Sequence, residues 1–79
     1  MKKGKDDLAQ AFGDALKSAR EEKGVSQERL AMLANIDRSH VGRLERGERV
    51  PSLAAIVLLA RPLGLTPSEL VKKVEKRLR

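Results

Sequence analysis

Seventy-nine residues with 17 Lys and Arg, 11 Asp and Glu, one His and no Cys leave room for one small domain and exclude most enzymes. A chain this short buries only about 60–65% of the surface its unfolded form exposes, so a modest core, helped by a second subunit, has to hold it together. The absence of cysteine excludes disulfides and thiolate metal sites and makes the cytoplasm the expected compartment, while a net charge of +6 points to an anionic partner.

Residues 1–6 are expected to form a flexible basic arm; no apolar segment follows them, so they do not read as a secretory signal. The first predicted helix covers 7–23, where Leu8, Phe12, Leu16 and Ala19 fall on one apolar stripe. Gly24 stops it, and Ser26 offers its hydroxyl to the free N–H groups of a second helix that runs through Ala34. Asn35, tolerant of positive φ, makes a short turn, and Asp37 is expected to cap a third helix ending at Gly47. Ser52 caps a fourth helix continuing to about residue 63, where Gly64 closes it. Thr66-Pro67-Ser68-Glu69 then forms a capping box with proline at the first helical position and opens a fifth helix over 66–79. With one aromatic residue and no alternating β-branched run, the fold class is all-α, five helices in one domain spanning 1–79.

Three residues strain this pattern. Gly13 and Gly42 lie inside helices, where each costs about 1 kcal/mol relative to alanine, and mark candidate sites of close packing. Pro62 removes a hydrogen bond from the fourth helix and crowds the preceding turn, which predicts a kink or an early end.

The fourth helix is apolar all the way round over residues 53–60, yet these eight residues fall far short of the roughly 20 that cross a bilayer. No membrane association is expected. One side of this helix serves the core; the other, with the last helix, leaves an apolar patch for a second copy to cover, and Ile56, Leu59, Leu65, Leu70 and Val74 are the expected dimer contacts. A twofold homodimer follows.

Excess positive charge lies in two blocks, four arginines over 38–49 and five basic residues over 72–79. The second block suits a solvated helix C-terminus. The first coincides with two short helices joined by a tight turn, the geometry of a helix-turn-helix. At 100° per residue, Asp37, Val41 and Leu44 point one way while Ser39, Gly42, Arg43 and Arg46 share the opposite side, with Arg38 at its edge. That distribution suits a helix that fills a DNA groove, with apolar residues fixing it to the body and donors meeting base edges. There is no paired metal-ligand spacing and no Gly-rich phosphate loop, so neither an enzyme nor a cofactor is expected.

Gln27, Leu30, Ala31, Ala34, Ile36, Val41, Leu44, Glu45 and Gly47 follow the order Gln-x-x-Leu-Ala-x-x-Ala-x-Ile-x-x-x-x-Val-x-x-Leu-Glu-x-Gly. This resembles the phage-repressor-like helix-turn-helix family, the XRE or Cro/C1 type, over residues 12–70, and implies a compact lambda-repressor-like domain. Ile36-Asp37-Arg38-Ser39-His40-Val41 and Glu45-Arg46-Gly47-Glu48-Arg49 look most like the controller proteins of restriction–modification systems. The resemblance implies a transcriptional regulator that binds double-stranded DNA as a homodimer on a palindromic operator. The alternative is an antitoxin-type module whose main partner is a toxin, with autoregulatory DNA binding; RNA polymerase is a further candidate partner.

Arg38 is the expected base reader, since its guanidinium fork matches guanine O6 and N7; a phosphate contact is its alternative. Ser39 reads bases tolerantly, and Arg43, grouped with them, reaches bases or phosphates. Gln27, His40, Arg46 and Arg49 are expected on the DNA backbone, with packing the alternative for His40 and solvent exposure for the two arginines, and the resemblance implies that Arg49 also reaches a base or the minor groove. The resemblance implies that Arg20 and Glu45 form a structural ion pair between the first and third helices.

Overall fold

The computed structural model describes residues 5–78 as five helices: α1 (Lys5–Lys23), α2 (Gln27–Ala34), α3 (Arg38–Glu45), α4 (Leu53–Ala60) and α5 (Pro67–Arg77), with a 3-10 turn (Arg61–Leu63) between the last two. No strand occurs among the described residues. α1 begins two residues before the expected boundary, so residues 5 and 6 belong to the helix rather than to the arm. Asp6 and Asp7 stand in its first turn, where the positive end of the helix dipole favours carboxylates. The rest of the expected arm, residues 1–4, and Arg79 lie outside the described residues.

The serine and threonine caps form where the spacing places them. Ser26 Oγ accepts from the Arg29 N–H, Ser52 Oγ from the Ala55 N–H, each at 3.0 Å. Thr66 and Glu69 exchange bonds of 2.8 and 3.1 Å. Asp37 departs from the expectation: its side chain makes no cap hydrogen bond, because the carboxylate accepts instead from the Ser39 hydroxyl.

Four helical segments end on one motif, a residue at positive φ followed by an N–H that reaches back five residues. The positive-φ residues are Gly24, Asn35, Gly47 and Gly64, and the returning N–H groups are those of Val25, Ile36, Glu48 and Leu65. Val25, Ile36 and Leu65 then pack against the core, as the motif favours. Glu48, in the same place after α3, is exposed. Pro62 has the expected effect: α4 ends at Ala60, and the 3-10 turn carries the chain through a proline that has no N–H to offer a helix.

α1 packs against both α3 and α5, α2 against α3, and α4 against α5. Phe12, Leu16, Leu30, Val41, Leu44, Leu59 and Leu70 are fully buried where these contacts converge. Leu8, expected in the same stripe, is exposed at the edge of that core. Gly13 is a close-approach site: a Cβ there would stand 2.5 Å from the Leu44 carbonyl oxygen and 2.7 Å from that of Glu45. α1 therefore lies backbone to backbone on the end of α3 and fixes how far α3 projects.

The expected dimer contacts need correction. Leu59 and Leu70 have no accessible surface and Val74 has 5%, so the chain's own core has consumed all three. Fully burying such a side chain contributes about 1.5–3 kcal/mol, which here goes to the chain's own fold. Ile56 and Leu65 remain half-buried. The large apolar side chains left outside are Leu53 at 75% exposure, with Leu58, Val71, Val50 and Leu8, and, elsewhere on the chain, Met32, Leu33 and Leu78. A shallow apolar groove lies among Leu8, Phe12, Val50, Pro51, Ile56, Val71 and Val74, so Ile56 and Val74 of the expected contacts do line an apolar surface feature. Among the described residues no single helix is long and apolar enough to cross a membrane.

Candidate nucleic-acid interface

α2 and α3 are joined through Asn35, whose left-handed conformation (φ 57°) lets the chain reverse within three residues. The Ile36 side chain then anchors the turn against the core. α3 inherits a fixed roll from its inner face, on which Val41 and Leu44 have no accessible surface. Its outer face carries Arg38, Ser39, Arg43 and Arg46, which line one groove together with Gln27 and Gly42. All four of the outer side chains are exposed. Gly42 forms the groove floor, and the Arg46 guanidinium folds back over it, with Nη1 3.0 Å from where a Cβ would stand.

Of the residues expected at this site, the structure brings Gln27, Arg38, Ser39, Arg43 and Arg46 together. His40 is half-buried on the flank and Arg49 is exposed in the following loop; neither lines the groove. The Ser39 hydroxyl gives its proton to Asp37, so it faces the groove as an acceptor.

Behind the groove lies a buried polar brace. Glu45 is the one buried charged residue among those described, its side chain 3% exposed. Arg20 reaches it with a two-pronged contact, Nε to Oε2 at 2.6 Å and Nη2 to Oε1 at 3.1 Å. Arg20 Nη1 also donates to the Val25 carbonyl at 2.9 Å, which ties the end of α1 into the same unit. The hydrogen bonds that Arg20 donates to Glu45 are the main cause that raises its pKa above the ordinary value, against the opposing effect of burial. Gln27 Nε2 donates to Glu45 Oε1 at 2.8 Å. A buried carboxylate is tolerable here because it is paired and its oxygens are hydrogen-bonded. The brace joins α1, α2 and α3, so the start of α2 and the end of α3 move as one piece.

A second ion pair sits at the exposed end of α3. Arg46 Nε donates to Glu48 Oε2 at 2.7 Å and Nη2 to Oε1 at 3.4 Å, with about half of each side chain exposed (59% and 51%). Sequence reasoning did not find this contact, nor the Gln27 to Glu45 bond or the Asp37 to Ser39 bond. A signal for the first was present: Val25, Ile36 and Leu65 supply an apolar anchor after a helix stop, and Glu48 breaks that pattern.

A helix held by its apolar face, with a cationic, unobstructed outer face and a preceding helix braced to it, defines a DNA-reading helix-turn-helix. Residues 16–70 match the helix-turn-helix family HTH_3, and the chain belongs to that family of transcriptional regulators. It is similar to control protein C.MunI of a Mycoplasma species, 38% identical over 71 residues, which cover 89% of this chain and 96% of that protein. Its fold matches the restriction-modification controller protein C.AhdI of Aeromonas hydrophila with a TM-score of 0.75 and 48% identity, over 78% of this chain and 94% of the other. It also matches C.Esp1396I bound to a 19 base pair DNA duplex, with a TM-score of 0.82 and 26% identity over 91% and 96% of the two chains. Within its family the protein thus resembles the controllers of restriction–modification systems rather than an enzyme.

Proposed function

We propose that this protein controls the genes of a restriction–modification system by binding, as a twofold homodimer, a roughly palindromic operator in double-stranded DNA. The observation that carries the reading is the groove on α3, where three arginines and Ser39 surround a glycine floor while the opposite face of the same helix is buried. Such a helix enters the major groove with donors leading. Arg38, at its first turn, is placed to take guanine O6 and N7. Ser39, its proton engaged by Asp37, offers an acceptor to the amino group of cytosine or adenine. Arg43, one turn further on, reaches bases or the adjoining phosphates.

Gln27, His40, Arg46 and Arg49 are assigned to the DNA backbone. Gln27 has one amide N–H bonded to Glu45 and keeps the other for a phosphate at the start of α2. The likeness to control proteins favours this reading over an antitoxin. Binding to a mixed-sequence duplex is expected to weaken by about 10³–10⁵ between roughly 50 and 200 mM salt, as for any protein making six to ten phosphate contacts. Fluorescence anisotropy measures this, and a flat salt dependence contradicts the reading.

The dimer surface is reassigned to the apolar side chains that the monomer leaves uncovered. Leu53 is exposed at the start of α4, between Pro51 and Ile56 of the groove that Leu8, Val50, Val71 and Val74 complete, and a twofold axis through this region would bring the two copies' apolar surfaces together. Two α3 helices then stand about 34 Å apart, one turn of DNA. Leu53→Glu is expected to give a folded monomer at micromolar concentration by sedimentation, where the parent chain is a dimer. A variant that still sediments as a dimer places the interface elsewhere.

A further inference from the structure

We propose that Glu48 is an internal counter-ion of the DNA-reading groove, a carboxylate that holds Arg46 in the free protein and that a phosphate of bound duplex displaces, so that it sets how tightly the protein binds DNA. The proposal rests on the assignment of the α3 groove to DNA.

Three observations converge on Glu48. The first is its place in the backbone. Its N–H donates to the Arg43 carbonyl at 3.0 Å after Gly47 turns at φ 75°, which pins Glu48 at the end of α3. The equivalent residues after the other three stops, Val25, Ile36 and Leu65, are apolar and pack on the core. Here the anchor is exchanged for a charged side chain that packs on nothing.

The second is that stability does not account for it. A carboxylate just past a helix C-terminus faces the negative end of the helix dipole, an unfavourable placement. The ion pair it makes is exposed, and exposed pairs contribute little to folding.

The third is what the carboxylate touches. It takes Nε and Nη2 of Arg46, a side chain that lines the reading groove. The hydrogen bond from Arg46 is the main cause that lowers the Glu48 pKa, and the positive charge of Arg43 contributes in the same direction. Two of the three groove arginines therefore act on one anion. The Arg46 fork is engaged by Glu48 in the geometry that suits a phosphate. A duplex that brings its own phosphate to Arg46 displaces Glu48, which then stands as a negative charge beside the DNA backbone.

The test compares the full-length protein with E48Q, R46Q and the double variant in anisotropy titrations of one mixed-sequence duplex across a salt series. E48Q is expected to bind about two- to fivefold tighter at low salt, the size of an exposed ion-pair effect. In the R46Q background the same change brings little gain. Unchanged or weaker binding by E48Q, or an equal gain without Arg46, overturns the proposal. If the parent protein binds the duplex with a steep salt dependence while E48Q gains nothing, the counter-ion role alone is wrong. If the parent protein does not bind duplex at all, the assignment of the groove to DNA fails and takes this inference with it.

Discussion

Glu45→Ala is expected to destabilise the protein by about 3–5 kcal/mol, the cost of stranding one partner of a buried ion pair. Glu45 accepts three hydrogen bonds, two from Arg20 and one from Gln27. Truncation leaves a guanidinium whose side chain is only 13% exposed without its counter-charge, and an amide without its acceptor. For a domain of this size each kcal/mol moves the melting temperature by about 4–8 °C, so the loss is at least about 12 °C. Arg20→Ala should fall in the same range, since it leaves the Glu45 carboxylate as the unpaired charge. The exposed Arg46 to Glu48 pair provides the internal contrast: breaking it is expected to leave stability close to the parent's, because solvent screens an exposed pair. Urea unfolding of the three variants makes the comparison. A Glu45→Ala variant within about 1 kcal/mol of the parent would show that the brace is no stronger than a surface pair.

Arg38→Ala is expected to relax base preference at one position in each half-site. A bidentate arginine to guanine contact discriminates by about 1–3 kcal/mol, or roughly 5- to 150-fold in affinity ratio. The substitution leaves the fold intact, because Arg38 is exposed and no hydrogen bond of the brace involves it. Lys76→Ala is the control. Lys76 lies on α5, which packs on α1 and α4 rather than at the reading groove, so its loss should leave preference unchanged. Competition titrations with single-base variants of a bound site separate the two. If Arg38→Ala lowers affinity equally for every variant, Arg38 is a phosphate contact and Arg43 becomes the leading candidate for base reading.

The helical punctuation was legible because it is local. Ser26, Ser52 and Thr66 cap within three residues of themselves, and Gly24, Asn35, Gly47 and Gly64 stop helices through their own φ. The helix-turn-helix followed from that spacing, and so did the separation of α3 into apolar and cationic faces. Pro62 ended α4 early for an equally local reason. The exceptions are long-range or competitive. The position of Asp37 alone marks it as a cap, but a hydroxyl two residues on competes for the same carboxylate. The expectation that Leu59, Leu70 and Val74 meet a partner comes from a fourth helix apolar on every side and from apolar residues of the last helix beside it. How much of such a helix the monomer covers depends on where α2 and α5 cross it, which no spacing reveals. Gln27 bonds across 18 residues to Glu45, a contact that needs α2 and α3 already docked.

That the outer face of α3 reads base sequence in a duplex is tested most directly by selecting bound duplexes from a random-sequence pool with the purified protein. The account predicts enrichment of one motif with two related half-sites, their centres about 10 base pairs apart, as two α3 helices on a twofold axis require. Recovery of duplexes with no shared motif, held only by charge and released uniformly as salt rises, would contradict it.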